Sequence, residues 1–123
     1  MKYNFSGTRQ WTRLIGTSTE DWAYGVAIDN SSNIYVTGNT SGDLEGTNAG
    51  NGDVFLEKYN SSGTKQWTQQ LGTSSSDIAK GVATDSSGNV YVTGVTSGGL
   101  DGNTSAGDTD LFVVKYDSDG NKQ

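Results

Sequence analysis

The 123-residue chain carries 14 acidic and 8 basic residues, for a net charge of −6, and it contains no cysteine, histidine or proline. Without cysteine it has neither a disulfide framework nor a thiol nucleophile, and without histidine it lacks the usual general base near neutral pH. The excess of acidic residues disfavours nucleic acid and anionic membrane surfaces as partners, because both are negatively charged.

Predicted β-strands follow one another along the chain, and no segment has helical periodicity. Short apolar or alternating runs are separated by turns rich in Gly, Ser, Asn and Asp, which is typical of antiparallel hairpins. The predicted strands are residues 8–15, 22–29, 34–39, 53–59, 64–71, 78–85, 90–95 and 110–116. Long Gly-rich loops occupy residues 40–52 and 96–109.

The same four-strand pattern occurs twice. Lys2-Tyr3-Asn4 returns as Lys58-Tyr59-Asn60, and Tyr35-Val36-Thr37-Gly38 returns as Tyr91-Val92-Thr93-Gly94. The period is about 56 residues, in or just above the range of propeller and solenoid repeats. Four short antiparallel strands repeated in tandem are typical of β-propeller blades. The sequence therefore predicts an all-β chain of two blades, each a four-stranded antiparallel meander.

The pattern Gly-Val-Ala-x-Asp-x-x-x-Asn-x-Tyr-Val-Thr-Gly begins at Gly25 and again at Gly81, and each copy is followed by Asp-x-Phe-x-x-Lys-Tyr. This combination resembles the bacterial SBBP β-propeller repeat and, more distantly, the NHL repeat. The resemblance implies that residues 22–29 and 78–85 are innermost strands and that the strands of Trp11 and Trp67 are outermost. It also implies an exported or cell-surface setting in bacteria, without a settled biochemical activity.

The order of the strands predicts how the blades are completed. Residues 1–15 supply an outermost strand, residues 16–71 form the first blade, and residues 72–123 form a second blade without most of its outermost strand. Because two blades cannot close a ring, we expect residues 8–15 of one copy to pair with residues 110–116 of the next. The predicted interface residues are Trp11, Thr12, Arg13, Leu14, Leu111, Phe112, Val113, Val114 and Tyr116.

Such head-to-tail contacts give homo-oligomeric rings. A trimer would have six blades and a tetramer eight, and the bulk of a 56-residue blade favours the tetramer. Residues 2–10 and 115–123 are copies of the same segment, so we expect one of them to be frayed when copies assemble.

The candidate cofactor is calcium. Asp108-Thr109-Asp110 looks like a fragment of a calcium loop, with Asp108 and Asp110 as candidate ligands. The full spacing of a calcium loop is missing, however, and acidic residues are also common in solvated turns. The sequence therefore favours a protein without cofactors, with calcium as the alternative.

The sequence contains no arrangement typical of an enzyme, but it does contain a candidate ligand site. Trp22 and Tyr24 break the repeat, since their counterparts are Ile78 and Lys80, and Asp21 lies beside them. Exposed aromatic side chains can stack on ligands or anchor partners. Two functions remain open: a structural, self-assembling repeat module, or a binding module that presents its loops to a glycan or protein. The loops contain no aromatic residue, which favours the first.

Overall fold

The computed structural model describes all 123 residues, which form nine β-strands and one short 3₁₀ turn, Leu100–Gly102. The chain contains no helix with the length and hydropathy needed to cross a bilayer. The strands are β1 (Lys2–Tyr3), β2 (Arg9–Trp11), β3 (Asp21–Ile28), β4 (Ile34–Thr40), β5 (Asp53–Tyr59), β6 (Lys65–Leu71), β7 (Asp77–Thr84), β8 (Val90–Thr96) and β9 (Asp110–Tyr116).

The strands form three antiparallel sheets in chain order. The first blade is the four-stranded sheet β3-β4-β5-β6, the second is the three-stranded sheet β7-β8-β9, and β1 pairs with β2. The all-β prediction is confirmed, and strands β3 to β9 agree with the predicted ranges to within one residue at each end. The pattern was reliable here because Gly, Ser, Asn and Asp mark the hairpin turns.

The prediction of a strand over residues 8–15 is wrong in its length, because β2 ends at Trp11. Its partner β1 offers only Lys2 and Tyr3, so nothing pairs with residues 12–15. The register of this short hairpin, with Lys2 opposite Trp11 and Tyr3 opposite Arg9, repeats the pairing at the outer ends of β5 and β6. The β1–β2 pair therefore has the same register as the ends of the third and fourth strands of a blade.

The innermost strand of each blade has a bulge at the same place. Tyr24 has no partner between the pairs Ala23–Gly38 and Gly25–Thr37, and Lys80 has none in the second blade. The two strands approach closely at the bulge, where a Cβ on Gly38 would lie 1.8 Å from the carbonyl oxygen of Trp22. Glycine is therefore required opposite the bulge.

The hydrophobic core lies between the two blades. Because side chains alternate along a strand, each blade has two faces. We call the face of the first blade that carries Tyr35, Val54 and Leu56 its rear face, and the other face its front face; the same names apply to the matching faces of the second blade. The rear face of the first blade packs on the front face of the second. The front face of the second blade contributes the remaining buried residues of the core, which are Ala79, Val90, Val92 and Tyr116.

Candidate functional site

The rear face of the second blade is open to solvent, although it repeats a face that is buried in the first. Val54 is 4 % exposed and Leu56 is 1 % exposed, whereas their counterparts Leu111 and Val113 are 87 % and 67 % exposed. All four side chains are aliphatic and occupy matching positions in β5 and β9. The difference in burial arises from the neighbouring blade, which covers the first rear face but not the second.

The front face of the first blade is a groove of about 380 Å³. Residues 11–15 form one wall, and β3, β4 and β5 form the other. The groove is lined mainly by apolar side chains, which include Ala23, Val26, Ile34, Val36 and Phe55. Ala23, Ile34 and Val36 are the counterparts of Ala79, Val90 and Val92, which belong to the core of the second blade. The chain therefore has one open front face and one open rear face.

The N-terminal hairpin packs on the first blade in the same way as the outer end of the β5–β6 pair packs on the second blade. Lys2 Nζ donates a hydrogen bond to the Ser61 carbonyl oxygen at 2.9 Å, and Lys58 Nζ donates one to that of Ser118 at 2.6 Å. Ser118 is the counterpart of Ser61 in the corresponding turn of the second blade. The β1–β2 pair thus lies where a blade preceding the first would have its outer corner.

The predicted interface residues fall into three groups. Trp11 and Arg13 contact the first blade of their own chain, where Arg13 Nε donates a hydrogen bond to the Gly63 carbonyl oxygen at 2.6 Å. Four further residues are exposed, as Arg13 also is, namely Thr12, Leu14, Leu111 and Val113. The last group lies on the front face of the second blade and packs against the core within the chain; it consists of Phe112, Val114 and Tyr116.

The burial of Tyr116 has an electrostatic consequence. Removal from solvent and, to a smaller extent, the nearby negative charge of Asp101 raise the pKa of the Tyr116 hydroxyl to about 12. This side chain therefore stays neutral at physiological pH and acts in the core as a large apolar residue.

The structure brings together only two of the three predicted ligand residues. Asp21 and Trp22 both line the front groove, whereas Tyr24 is not part of its wall. Tyr24 lies at the bulge, with Lys80 Nζ 5.0 Å from the centre of its ring. Burial of Asp21 opposes ionisation, but hydrogen bonding to Thr17 and Thr40 together outweighs it and lowers the pKa of the carboxyl group. Asp21 thus holds the preceding turn.

The calcium candidates Asp108 and Asp110 do not belong to a cluster of metal-binding side chains. Asp110 Oδ2 accepts hydrogen bonds from Ser105 Oγ at 2.8 Å and from the Ala106 backbone N–H at 2.7 Å. The chain has no group of three or more histidine, cysteine or acidic side chains close enough to hold a metal ion. The carboxylate of Asp110 therefore has a local structural partner, and calcium binding remains an untested prediction.

Two exposed aliphatic side chains of β3 were not among the predicted site residues. Val26 and Ile28 are 66 % and 64 % exposed on β3, although both are aliphatic. The period-2 alternation places Val26 and Ile28 on the same face as Ile34 and Val36, given the register of β3 and β4. The turn at residues 29–33 sets this pairing, whereas the exposure of the face is a tertiary effect that the residue pattern does not reveal.

The comparisons with known proteins agree with this geometry. The SBBP beta-propeller repeat matches residues 10–45 and 66–101, more than half of the chain. The chain belongs to the SBBP beta-propeller repeat family. The resemblance recognised in the motifs of this SBBP chain is thereby confirmed, and both matched segments run from an outermost strand through the two innermost strands of a blade into the long loop.

Two larger proteins are similar to this SBBP chain. An uncharacterized WD repeat-containing protein, L264 of Acanthamoeba polyphaga mimivirus, is 28 % identical over 116 residues, which cover 80 % of this chain and 8 % of the viral protein. The regulatory protein FlaEY of Caulobacter vibrioides is 27 % identical over 135 residues, covering 100 % of this chain and 14 % of that protein. The chain thus spans a small part of either relative.

Proposed function

We propose that the chain is a structural module without catalytic activity, whose copies assemble head-to-tail into a closed β-propeller ring. The observation that carries this proposal is the exposure of Leu111 and Val113 at positions where the first blade buries Val54 and Leu56. The chain thus contains both a formed contact between two blades and the two open faces that can form the same contact again.

The contact within the chain serves as a template for the contact between copies. Val54 and Leu56 meet the side chains of Ala79, Val90 and Val92 in the core. A shift by one repeat places Leu111 and Val113 of one copy against the front groove of the next. Burial of each of these two side chains would contribute about 1.5–3 kcal/mol.

An exchanged strand would complete the second blade. In the first blade the fourth strand, β6, pairs with β5, whereas β9 has no such partner apart from a single bridge between Tyr116 and Lys122. Residues 9–15 of the next copy match β6 in sequence. They also have a suitable position, because β2 contacts the first blade of its own copy as β6 contacts the second. The backbone hydrogen bonds of the β9 edge would then be satisfied.

Closure of the ring requires that repetition of the one contact returns to the starting copy. Heterologous contacts close when the rotation per copy is a whole fraction of a turn, and propellers commonly have four to eight blades. Two-blade copies then give six blades as a trimer or eight as a tetramer. The bulk of the 56-residue blade favours the tetramer.

A second candidate function is a binding module for a glycan or a protein. It is favoured by Trp22 and Tyr24, which are 55 % and 46 % exposed and have no aromatic counterpart in the second blade. In this alternative the front groove would take a ligand in place of a second copy. Saturable binding to a glycan array by a chain that stays monomeric would support it over the ring.

The mass of the chain in solution tests the ring. Size-exclusion chromatography with light scattering at micromolar concentration should give one species of three or four times 12.9 kDa. Val113→Asp should reduce the mass to that of one copy while circular dichroism is unchanged, and the exposed-loop variant Thr47→Asp should assemble normally. A wild-type mass of one copy, or an open series of growing masses, would contradict a closed ring.

A further inference from the structure

We propose that Leu14 of a second copy fills the groove beside β9, in the position that Gln70 occupies in the first blade, and that Leu14 thereby determines which strand completes the second blade. The inference rests on the proposed assembly and names a specificity-determining contact within it. It follows from a difference between two otherwise matching strands, because the counterpart of Gln70 in the N-terminal copy is Leu14.

The groove lies along the free edge of β9, under the long loop of the second blade, and has a volume of about 650 Å³. Its apolar lining includes Leu100, Leu111 and Phe112, and its polar lining comes from the loop residues that follow Leu100. In the first blade the fourth strand, β6, occupies the corresponding space. The groove is therefore shaped for one further strand.

In the first blade the side chain of Gln70 fastens the long loop to the fourth strand. Its Oε1 accepts hydrogen bonds from the backbone N–H groups of Leu44 and Glu45, both at 3.0 Å. Its Nε2 donates to the Gly42 carbonyl oxygen at 3.1 Å and to Asp53 Oδ2 at 2.9 Å. A leucine at this position would leave these groups without their partner.

In the second blade the aspartate that bonds to this glutamine has donors within its own loop. Asp110, the counterpart of Asp53, accepts its hydrogen bonds from Ser105 and Ala106 within the loop. Leu100, the counterpart of Leu44, begins a 3₁₀ turn, so the loop has a backbone conformation of its own here. Because the loop supplies donors to Asp110, this carboxylate does not require the amide group of a fourth-strand glutamine. An apolar side chain is compatible with that environment.

The register places Leu14 within this groove. Gln70 lies opposite Phe55 in the first blade. A shift by one repeat puts Leu14 of the second copy opposite Phe112 and close to Leu100. Leu14 is 97 % exposed in the single chain, so the contact would bury an aliphatic side chain that has no cover of its own. A glutamine in the same place would find the carboxylate of Asp110, the counterpart of Asp53, already bonded to Ser105 and Ala106.

Substitution of Leu14 tests the inference. The dissociation constant between copies is measured by sedimentation equilibrium for wild type, Leu14→Gln and the volume-conserving Leu14→Met. Leu14→Gln should weaken the association at least about tenfold, whereas Leu14→Met should stay within about threefold of wild type. Equal association of Leu14→Gln and wild type would overturn the role of Leu14 and leave the ring intact. A wild-type chain that never associates would overturn both.

A crosslink tests the register directly, since the chain has no cysteine of its own. The double variant Leu14→Cys with Phe112→Cys should form disulfides between chains and give a ladder on a non-reducing gel that ends at the ring. Thr47→Cys with Phe112→Cys is the matched control and should give no ladder, because Thr47 lies in the exposed loop of the first blade. A ladder from the control alone, or from neither variant, would contradict the predicted pairing.

Discussion

The indole nitrogens of Trp11 and Trp67 each donate a hydrogen bond at 3.2 Å to a serine carbonyl oxygen, that of Ser61 for Trp11 and that of Ser118 for Trp67. Both rings lie over a glycine of the acceptor turn, at Gly63 and Gly120, where a Cβ would come within 3.0 Å of ring carbons. The outer contact between successive blades is therefore a repeated unit in its own right. It forms between the first and second blade and again between the N-terminal hairpin and the first blade.

The two tryptophans should contribute unequally to the stability of a single chain. Trp67 packs on the core, where the centre of its ring lies 5.9 Å from the centre of the Tyr35 ring. Trp11 joins only a short hairpin to the first blade. In a Val113→Asp background that keeps the chain monomeric, Trp67→Ala should lower the free energy of unfolding by about 3 kcal/mol. Trp11→Ala should lower it by less than about 1 kcal/mol. Urea unfolding followed by circular dichroism measures both, and equal losses would show that the hairpin is as firmly packed as the blade.

Glu57 should be required in the first blade although its counterpart in the second is Val114. Its side chain is buried and accepts hydrogen bonds from the hydroxyl groups of Tyr59 and Thr68. Glu57→Val would leave two buried hydroxyl groups without an acceptor, and we expect a loss of about 1–3 kcal/mol for each group. Glu57→Gln retains an acceptor and should cost less. The free energy of unfolding in urea distinguishes the two variants.

A double variant separates the hydrogen bond of Glu57 from its packing. With Tyr59→Phe present there is one donor fewer to leave unpaired, so the further loss caused by Glu57→Val should be smaller than in the wild-type background. Additive losses would show that the hydroxyl group of Tyr59 gains nothing from the Glu57 carboxylate.

The strands could be predicted because their signals are local, but burial could not. Val54 and Leu111 are both aliphatic and occupy matching positions in β5 and β9, so residue type alone does not distinguish their environments. Their exposure differs because another blade covers only one of them, and that is a tertiary effect. The role of Gln70 was equally hidden, since its partners Leu44 and Glu45 lie at least 25 residues away in the chain.

The prediction of the length of β2 was wrong for a related reason. Residues 12–15 have the composition of a strand, but a strand needs a partner for its backbone groups. Composition alone could not show that β1 offers only two residues for pairing. The local pattern thus describes what residues 12–15 can form, and their neighbours decide what they do form.

Acidification should lower the free energy of unfolding, because aspartate carboxylates accept hydrogen bonds within the turns. Asp85 accepts hydrogen bonds from the Asn89 side chain, the Asn89 and Ser87 backbone N–H groups and the Tyr91 hydroxyl group. These bonds, above all that from the Asn89 side chain, lower the pKa of Asp85 below its ordinary value of 3.8. Because the folded pKa is lower than the unfolded one, the stabilisation is complete above the unfolded pKa and is lost as the pH falls through the folded one.

Asp85→Asn should therefore destabilise the chain at pH 7 more than at pH 3. The difference in urea midpoint between wild type and variant should shrink on acidification, because the stabilisation by the carboxylate begins to be lost below the unfolded pKa. Asp119→Asn is the control, since the Asp119 carboxylate accepts no hydrogen bond and only its backbone N–H is engaged. A difference in midpoint that is independent of pH would show that Asp85 acts through packing alone.

Gly38 should tolerate no side chain, because the bulge of β3 brings the Trp22 carbonyl oxygen to 1.8 Å from the position of a Cβ. Gly38→Ala would force β3 and β4 apart at the bulge, and we expect a loss of at least about 2 kcal/mol in the free energy of unfolding. Gly107→Ala is the matched control, because a Cβ there meets no atom within 4 Å and the residue has no positive φ. It should be neutral, or stabilising by up to about 1 kcal/mol through the unfolded chain. If both variants unfolded at the same urea concentration, the close approach of the two strands at the bulge would be wrong.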